Sequence, residues 1–209
     1  MASDPKKFLQ KIFATNRRIL VNHSISSIKI DKSWKKILVV GSGNDPYRDL
    51  FDDLDVYTRL DIVVNKKIVD VVADAHYLPF GSNSFDCIMA IEVFEHLENP
   101  SAFVKEAHRV LNTSGSIFLS IPFMFHEHGD PYDFWRPTKF ILEKLFRSFS
   151  YLEIEAQGSR LHVVLDVIST SKSFFGLLRL FRVLNHFVCV FKRKSTSSSP
   201  SGYFIKAIK

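Results

Sequence analysis

From residue 36 onward, short apolar runs alternate with longer amphipathic stretches. The runs at 36–40, 55–60, 68–72, 85–91, 115–121 and 149–156 have the length and the β-branched and aromatic content of strands. Segments 46–53, 100–111 and 137–147 have helical length. Asn99-Pro100-Ser101 places a capping side chain and a proline at the start of the second, and Asn112 to Gly115 closes it. Strands alternating with helices predict a mostly parallel sheet with helices on both faces. Ahead of this core, Asp4-Pro5 is a helix start, and Phe8, Leu9, Ile12 and Phe13 share one face, which predicts an amphipathic helix over 4–22. After residue 157 the alternation stops. Residues 160–192 are apolar and helical in pattern, Lys192 to Ser201 is a polar linker, and Tyr203 to Ile208 reads as a last strand. The expected parts are a lead-in over 1–34, a core over 35–157, an excursion and linker over 158–201, and a returning strand over 202–209.

Composition changes this picture little. A chain of 209 residues suits one domain with embellishments and is long enough to bury a full core. Twenty Phe is the one unusual count, and it agrees with a large apolar interior. A net charge of +6 is read first as a solvated basic face. A phosphorylated substrate, an anionic membrane or nucleic acid are the acidic partners that would use it. Cys87 and Cys189 both sit in apolar runs, so they are expected as buried thiols, not as a disulfide or a zinc site. Lys and Arg interrupt every apolar run through Arg18, so no signal peptide is expected and a reducing cytoplasm fits.

The chemistry concentrates between residues 35 and 96. The first strand runs into Gly41-Ser42-Gly43-Asn44. Eighteen residues after Gly43 comes Asp61, at the end of the second strand-like run, and Ile62 follows it. Asp74-Ala75-His76 is followed by Leu78-Pro79-Phe80, and Ser84-Phe85-Asp86 then opens the run that ends in Ile91-Glu92-Val93-Phe94-Glu95-His96. Glycines after a strand let backbone N–H groups approach an anion, and carboxylates at later strand ends accept hydrogen bonds from a ribose or an amine.

This ordered series resembles the class I S-adenosylmethionine-dependent methyltransferases, and within them the type 11 group. The resemblance covers about residues 35–157 plus the closing strand. It implies a Rossmann-like α/β fold with a mostly parallel seven-stranded sheet, an antiparallel last strand and S-adenosylmethionine as cofactor. Gly41, Ser42 and Gly43 then face the methionine carboxylate, and Asp61, with Ile62 beside it, takes the ribose hydroxyls. Asp74 and Ala75 meet the adenine, while Ile91 and Glu92 lie beneath the cofactor. Two positions depart from the family pattern: Val39 stands where a carboxylate usually meets the ligand's ammonium group, and Asp45 replaces a third glycine. Asp45, Glu92 or backbone carbonyls are the candidates for holding that end.

Glu92, Glu95 and His96 share one helix face by spacing. The same pattern occurs in ubiquinone-biosynthesis O-methyltransferases, where it can hold a divalent ion. Local capping and hydrogen bonding is the preferred reading here, so no metal is assigned. A second cluster, 121–137, follows the fifth strand and includes His126, His128, Asp130, Tyr132, Asp133, Trp135 and Arg136. An imidazole titrates near neutrality, so His126 or His128 is the expected base, oriented by Asp130 or Asp133. Arg136 either pairs with Asp133 or clamps an acidic acceptor, and Tyr132 and Trp135 offer flat stacking faces. The string from His128 to Arg136 resembles methyltransferases among sugar- and cell-envelope-modifying enzymes.

Arg179, Arg182 and His186 form a narrow polar stripe in an otherwise apolar run, which makes a poor membrane span. A lid or core helix is expected there. A peripheral membrane contact through 172–194 and a dimer contact remain open, as does the oligomeric state. The expected function is methyl transfer from S-adenosylmethionine to a small or lipid-linked acceptor, such as a sugar, a glycolipid or a quinone-like ring, through oxygen. The alternative is a non-catalytic cofactor-binding or scaffold protein with a degenerate glycine loop. Nucleic acid is not an expected partner, because the basic residues are scattered and no base-methylating motif is present.

Overall fold

The structure, a computed structural model, describes residues 14–43, 45–51, 53–64, 67–170 and 199–209. The start of the predicted 4–22 helix, Cys189, and the apolar run with its 172–194 membrane contact lie outside the described residues. The chain divides into two compact units, one of residues 29–121, 127–154 and 204–209, the other of 1–28, 122–126 and 155–203.

The elements in chain order are α1 (Asn16–Ser26), β1 (Lys36–Val40), β2 (Val56–Asp61), β3 (Val71–Val72), β4 (Phe85–Ile91), α2 (Pro100–Val110), β5 (Leu111–Pro122), α3 (Lys139–Leu145), β6 (Tyr151–Gln157), α4 (Arg160–Thr170) and β7 (Gly202–Ile208). Seven strands form one sheet in the order β3-β2-β1-β4-β5-β7-β6. β1 to β5 pair in parallel. β7 runs against both neighbours: Ser150 N donates to Ile208 O at 2.8 Å, and Lys209 N donates to Gly115 O at 3.0 Å. The expected parallel sheet with an antiparallel last strand is therefore present. β1 and β4 lie centrally, where both faces are covered, and their residues are apolar and buried almost without interruption. The order reverses between β1 and β4, and ligands bind beyond the carboxyl ends of strands at such a switch point.

α2 shows why its segment is helical. The Asn99 side chain accepts from Ala102 N, Pro100 takes the first turn, and Phe103, Val104, Ala107 and Val110 make one buried face. Its outer side holds the Leu78-Pro79-Phe80 step in place: Arg109 donates to the carbonyls of Phe80 and Leu78, and Glu106 accepts from Leu78 N at 2.9 Å. The helix expected over 46–53 reduces to a single 3₁₀ turn at Arg48–Leu50. Asp45 and Asp53 bracket it with φ of 41° and 51°, a left-handed backbone that no helix can continue through. The strand expected over 68–72 pairs only at Val71–Val72. The turn expected over 112–115 is instead the start of β5.

In the smaller unit, α1 and α4 are joined by one carboxylate. Asp166 accepts from the backbone N–H of Asn16 at 2.7 Å and of Arg17 at 2.9 Å, satisfying donors that a helix N-terminus leaves unpaired. The Arg17 guanidinium donates to Gln157 Oε1, whose amide donates to Ser24 Oγ at 2.6 Å. Burial pushes the Asp166 carboxyl up to about 6, against the pull of its Asn16 and Arg17 donors. An acid whose folded pKa is raised binds protons on folding, so its contribution is least favourable above about pH 6 and improves as pH falls towards 4. Denaturant midpoints should therefore show a stabilising component of roughly 2–3 kcal/mol on acidification through that window. In Asp166→Asn that component should vanish, and an unchanged pH profile would contradict it.

Candidate active site

A cavity of about 550 Å³ opens at the carboxyl ends of β1, β2 and β4. Gly41 leaves β1 with φ of 63°, and a Cβ there would lie 2.3 Å from Val93 Cγ2. The glycine is required twice over, by its left-handed backbone and by the close approach of the turn after β4. Asp61 ends β2. Its two oxygens accept from Gly43 N and Val63 N, each at 3.0 Å, which fixes the carboxylate while leaving each oxygen a lone pair. Asp74 accepts from His76 N at 2.9 Å and from His76 Nδ1 at 2.6 Å. Asn99 N donates to His76 Nε2, so the imidazole proton sits on Nδ1. Glu92 has φ of 55°, a strained conformation for a residue with a side chain, at the end of β4. Its Oε1 accepts from Ser120 Oγ at 2.7 Å.

Gly41, Asp61, Ile62, Asp74, Ala75 and Glu92 all line this cavity. Ser42, Gly43 and Ile91 lie just outside the lining, with Ser42 and Ile91 buried. Val39 is a core residue of β1. Asp45 accepts from Tyr57 Oη at 2.9 Å and from Tyr47 N, so its carboxylate serves its own loop. Of the two carboxylates considered for the ligand's ammonium end, Glu92 is the one on the cavity wall.

His96, Gly129, Tyr132 and Phe134 also line the cavity. The loop after β5 is fastened to the 3₁₀ turn Phe94–His96: Phe134 N donates to Glu95 O at 2.8 Å, and His96 Nδ1 donates to Tyr132 O. Gly129 supplies a left-handed turn with φ of 75° against the His96 ring. Asp133 is held by both terminal guanidinium nitrogens of Arg136, at 2.5 and 2.6 Å, and accepts from His128 N at 2.8 Å. Burial alone would raise the Asp133 carboxyl. The Arg136 hydrogen bonds, the His128 N–H and the neighbouring positive charge outweigh it and hold the group down to about 2. The Asp–Arg pair is thus scaffolding for the loop.

Glu95 has a fully buried carboxylate. His96 Nε2 lies 3.8 Å and His128 Nε2 3.7 Å from its Oε1. Burial pushes this carboxyl above the usual carboxylate range and the Glu92 charge adds to that, while His128 and His96 pull it down. His128 thus stands behind the cavity wall with Asp133, not Asp130, at its other nitrogen. Asp130 is exposed in the turn. His126 belongs to the smaller unit, with its Nδ1 3.3 Å from Thr170 Oγ1. Sequence reasoning did not place His96 beside Tyr132 on this cavity, because that pairing depends on a loop returning from 36 residues further along the chain.

Residues 39–119 match the family model described as a methyltransferase domain. That stretch is similar to the type 11 methyltransferase domains, and the fold is the Rossmann-like one of solved S-adenosylmethionine-dependent methyltransferases. A curated relative, an uncharacterised protein of Methanocaldococcus jannaschii, is 27% identical over 107 residues, which are 49% of this chain and 52% of that protein. The chain thus spans about half the length of that relative. Among solved structures, a SAM-dependent methyltransferase from Archaeoglobus fulgidus superposes with a TM-score of 0.58 at 17% identity, over 99% of this chain and 100% of that one. The phosphoethanolamine N-methyltransferase 2 of Haemonchus contortus, solved with phosphomonomethylethanolamine and S-adenosylhomocysteine, gives 0.58 at 14% identity, over 96% of this chain and 56% of that one. The residues lining the cavity fit S-adenosylmethionine, the cofactor of the matched family. Gly41 permits close backbone approach, and Asp61 and Asp74 present acceptors at the ends of adjoining strands.

Proposed function

We propose that this protein methylates a hydroxyl oxygen on a small or lipid-linked acceptor, such as a sugar, a glycolipid or a quinone-like ring. The observation that carries the reading is the Glu95, His96 and His128 cluster, whose His96 lines the same cavity as Asp61 and Asp74. When bound, S-adenosylmethionine supplies a methyl group whose bond to sulfur breaks as the bond to oxygen forms, the electron pair staying on sulfur. The acceptor hydroxyl must lose its proton in that step. His96 Nδ1 donates to a carbonyl, which only accepts, so the lone pair is on Nε2 and the ring can receive that proton. Tyr132 and Phe134 are exposed and flank His96, offering flat apolar faces to a sugar or aromatic ring.

His96→Gln should keep S-adenosylmethionine affinity within about 3-fold and lower turnover about 100-fold, the usual contribution of one positioned base. Turnover is followed as S-adenosylhomocysteine release across sugar, glycolipid and phenolic acceptors. Undiminished turnover in the variant would remove His96 from the chemistry. His126→Ala and His128→Ala in the same assay compare the other two imidazoles. A second reading, a cofactor-binding protein without turnover, is favoured by the buried Val39 where an ammonium-binding carboxylate is usual. Tight cofactor binding with no release across the panel would support it.

A further inference from the structure

Glu95, His96 and His128 each offer one ligand atom, and the three lie within 4.8 Å of one another. Among the described residues, neither oxygen of the Glu95 carboxylate has a hydrogen-bond partner, although the side chain is fully buried. A buried carboxylate with nothing to neutralise it costs several kcal/mol. The surroundings offset that cost with imidazoles and not with closely hydrogen-bonded donors. They aim two imidazole Nε2 atoms at the same oxygen, at 3.8 Å from His96 and 3.7 Å from His128. Those separations are too long for hydrogen bonds. They are close to the spacing of two ligands on one tetrahedral ion, where bonds of about 2.1 Å put neighbouring donors roughly 3.4 Å apart.

The outer partners agree. His96 Nδ1 donates to the Tyr132 carbonyl, and His128 Nδ1 lies 3.4 Å from Asp133 Oδ2, on a carboxylate that Arg136 grips with both nitrogens. A metal-ligating histidine is oriented in this way, by a carbonyl or carboxylate on its far nitrogen. Glu92, which the sequence spacing groups with Glu95 and His96, gives its Oε1 to Ser120 instead.

We infer that Glu95, His96 and His128 bind one divalent transition metal ion, of the zinc class, with an open position towards the cavity that His96 lines. Two imidazoles and one carboxylate suit zinc, cobalt or iron better than magnesium or calcium. Resting on the proposed methyl transfer, the ion's role is to take the acceptor hydroxyl as its fourth ligand and lower that group's pKa. With both imidazole Nε2 atoms on the ion, the ion would replace His96 as the means of deprotonation: the acceptor proton would pass to water in the open cavity, and the oxygen would keep a lone pair for the methyl group.

The test uses the full chain, stripped with chelator and titrated with cobalt and then with competing zinc. The expected result is one cobalt per chain with the intense visible absorption of a four-coordinate centre, displaced by zinc. Glu95→Gln and His128→Asn should each weaken cobalt binding at least about 100-fold, and Asp133→Asn about 10-fold through the His128 orientation. S-adenosylmethionine affinity, measured by calorimetry, checks that each variant is folded. Absence of the wild-type cobalt spectrum overturns the site whatever the variants do, as does binding that is indifferent to all three substitutions. Turnover by metal-free protein would also overturn the metal's role while leaving methyl transfer standing on the imidazole. Stoichiometric cobalt with no turnover of any acceptor would confirm the site and sink the methyl-transfer reading.

Discussion

Replacing Asp61 by asparagine is expected to weaken S-adenosylmethionine binding about 100-fold with little change in fold. Two losses combine. The carboxylate lines the cavity as the expected strand-end acceptor for the ribose hydroxyls, and hydrogen bonds to a charged acceptor contribute about 1.5–3 kcal/mol each. The same oxygens accept from Gly43 N and Val63 N, so they also hold the glycine turn and the segment after β2 in register with the cavity. An amide can accept at one oxygen only, and its nitrogen would face one of those backbone donors. Calorimetric titration with S-adenosylmethionine and S-adenosylhomocysteine measures the effect. An affinity within about 3-fold of wild type would show that Asp61 is only a loop anchor, since removing the charge from a ribose acceptor weakens binding by more than that.

The second large effect is expected from Gly41→Ala. The new methyl group would sit 2.3 Å from Val93 Cγ2, on a backbone with φ of 63°. Overpacking typically costs about 1–3 kcal/mol and a left-handed non-glycine residue about 1 kcal/mol more. The strain falls on the turn after β4, where Glu92 is itself held at φ of 55°. Melting temperature should fall by several degrees, roughly 5–10 °C for this cost in a chain of this size. Cofactor binding should fall below detection, because the glycine turn and the Glu92 wall are displaced together. Gly43→Ala is the control: nothing lies within 4 Å of a Cβ there, so only the backbone cost applies. Equal losses in the two variants would show that crowding against Val93 is not the cause.

The parts of this fold that were legible in the sequence are those decided by continuous burial. β1, β4 and β5 are apolar runs because both faces of the central sheet are covered, and β7 announces itself as an apolar run after a polar linker. The place of Asp61 and Asp74 on the cavity was legible because carboxylates at strand ends meet at the carboxyl edge of the sheet, at a spacing set by local chain geometry. The helix expected after the glycine turn was not, since its length pattern carried no sign of the left-handed Asp45 and Asp53. The acceptor wall was legible only as a set of reactive side chains. Which aspartate serves His128 depends on the turn at Gly129, which leaves Asp130 in solvent and brings Asp133 round to the ring. Likewise Glu95 and His96 gain their meaning from a loop far along the chain, and no local spacing encodes that return.

That loop is fastened through main-chain atoms. Tyr132 contributes its carbonyl oxygen to His96, and Phe134 contributes its N–H to Glu95 O. Any residue but proline at 134, and any residue at 132, can make the same two bonds. The side chains that flank the acceptor space are therefore free to drift while the groups that do the chemistry keep their positions. On the function proposed above, descendants of this chain would change what they methylate by substitution at two exposed positions, without rebuilding the means of methylating it.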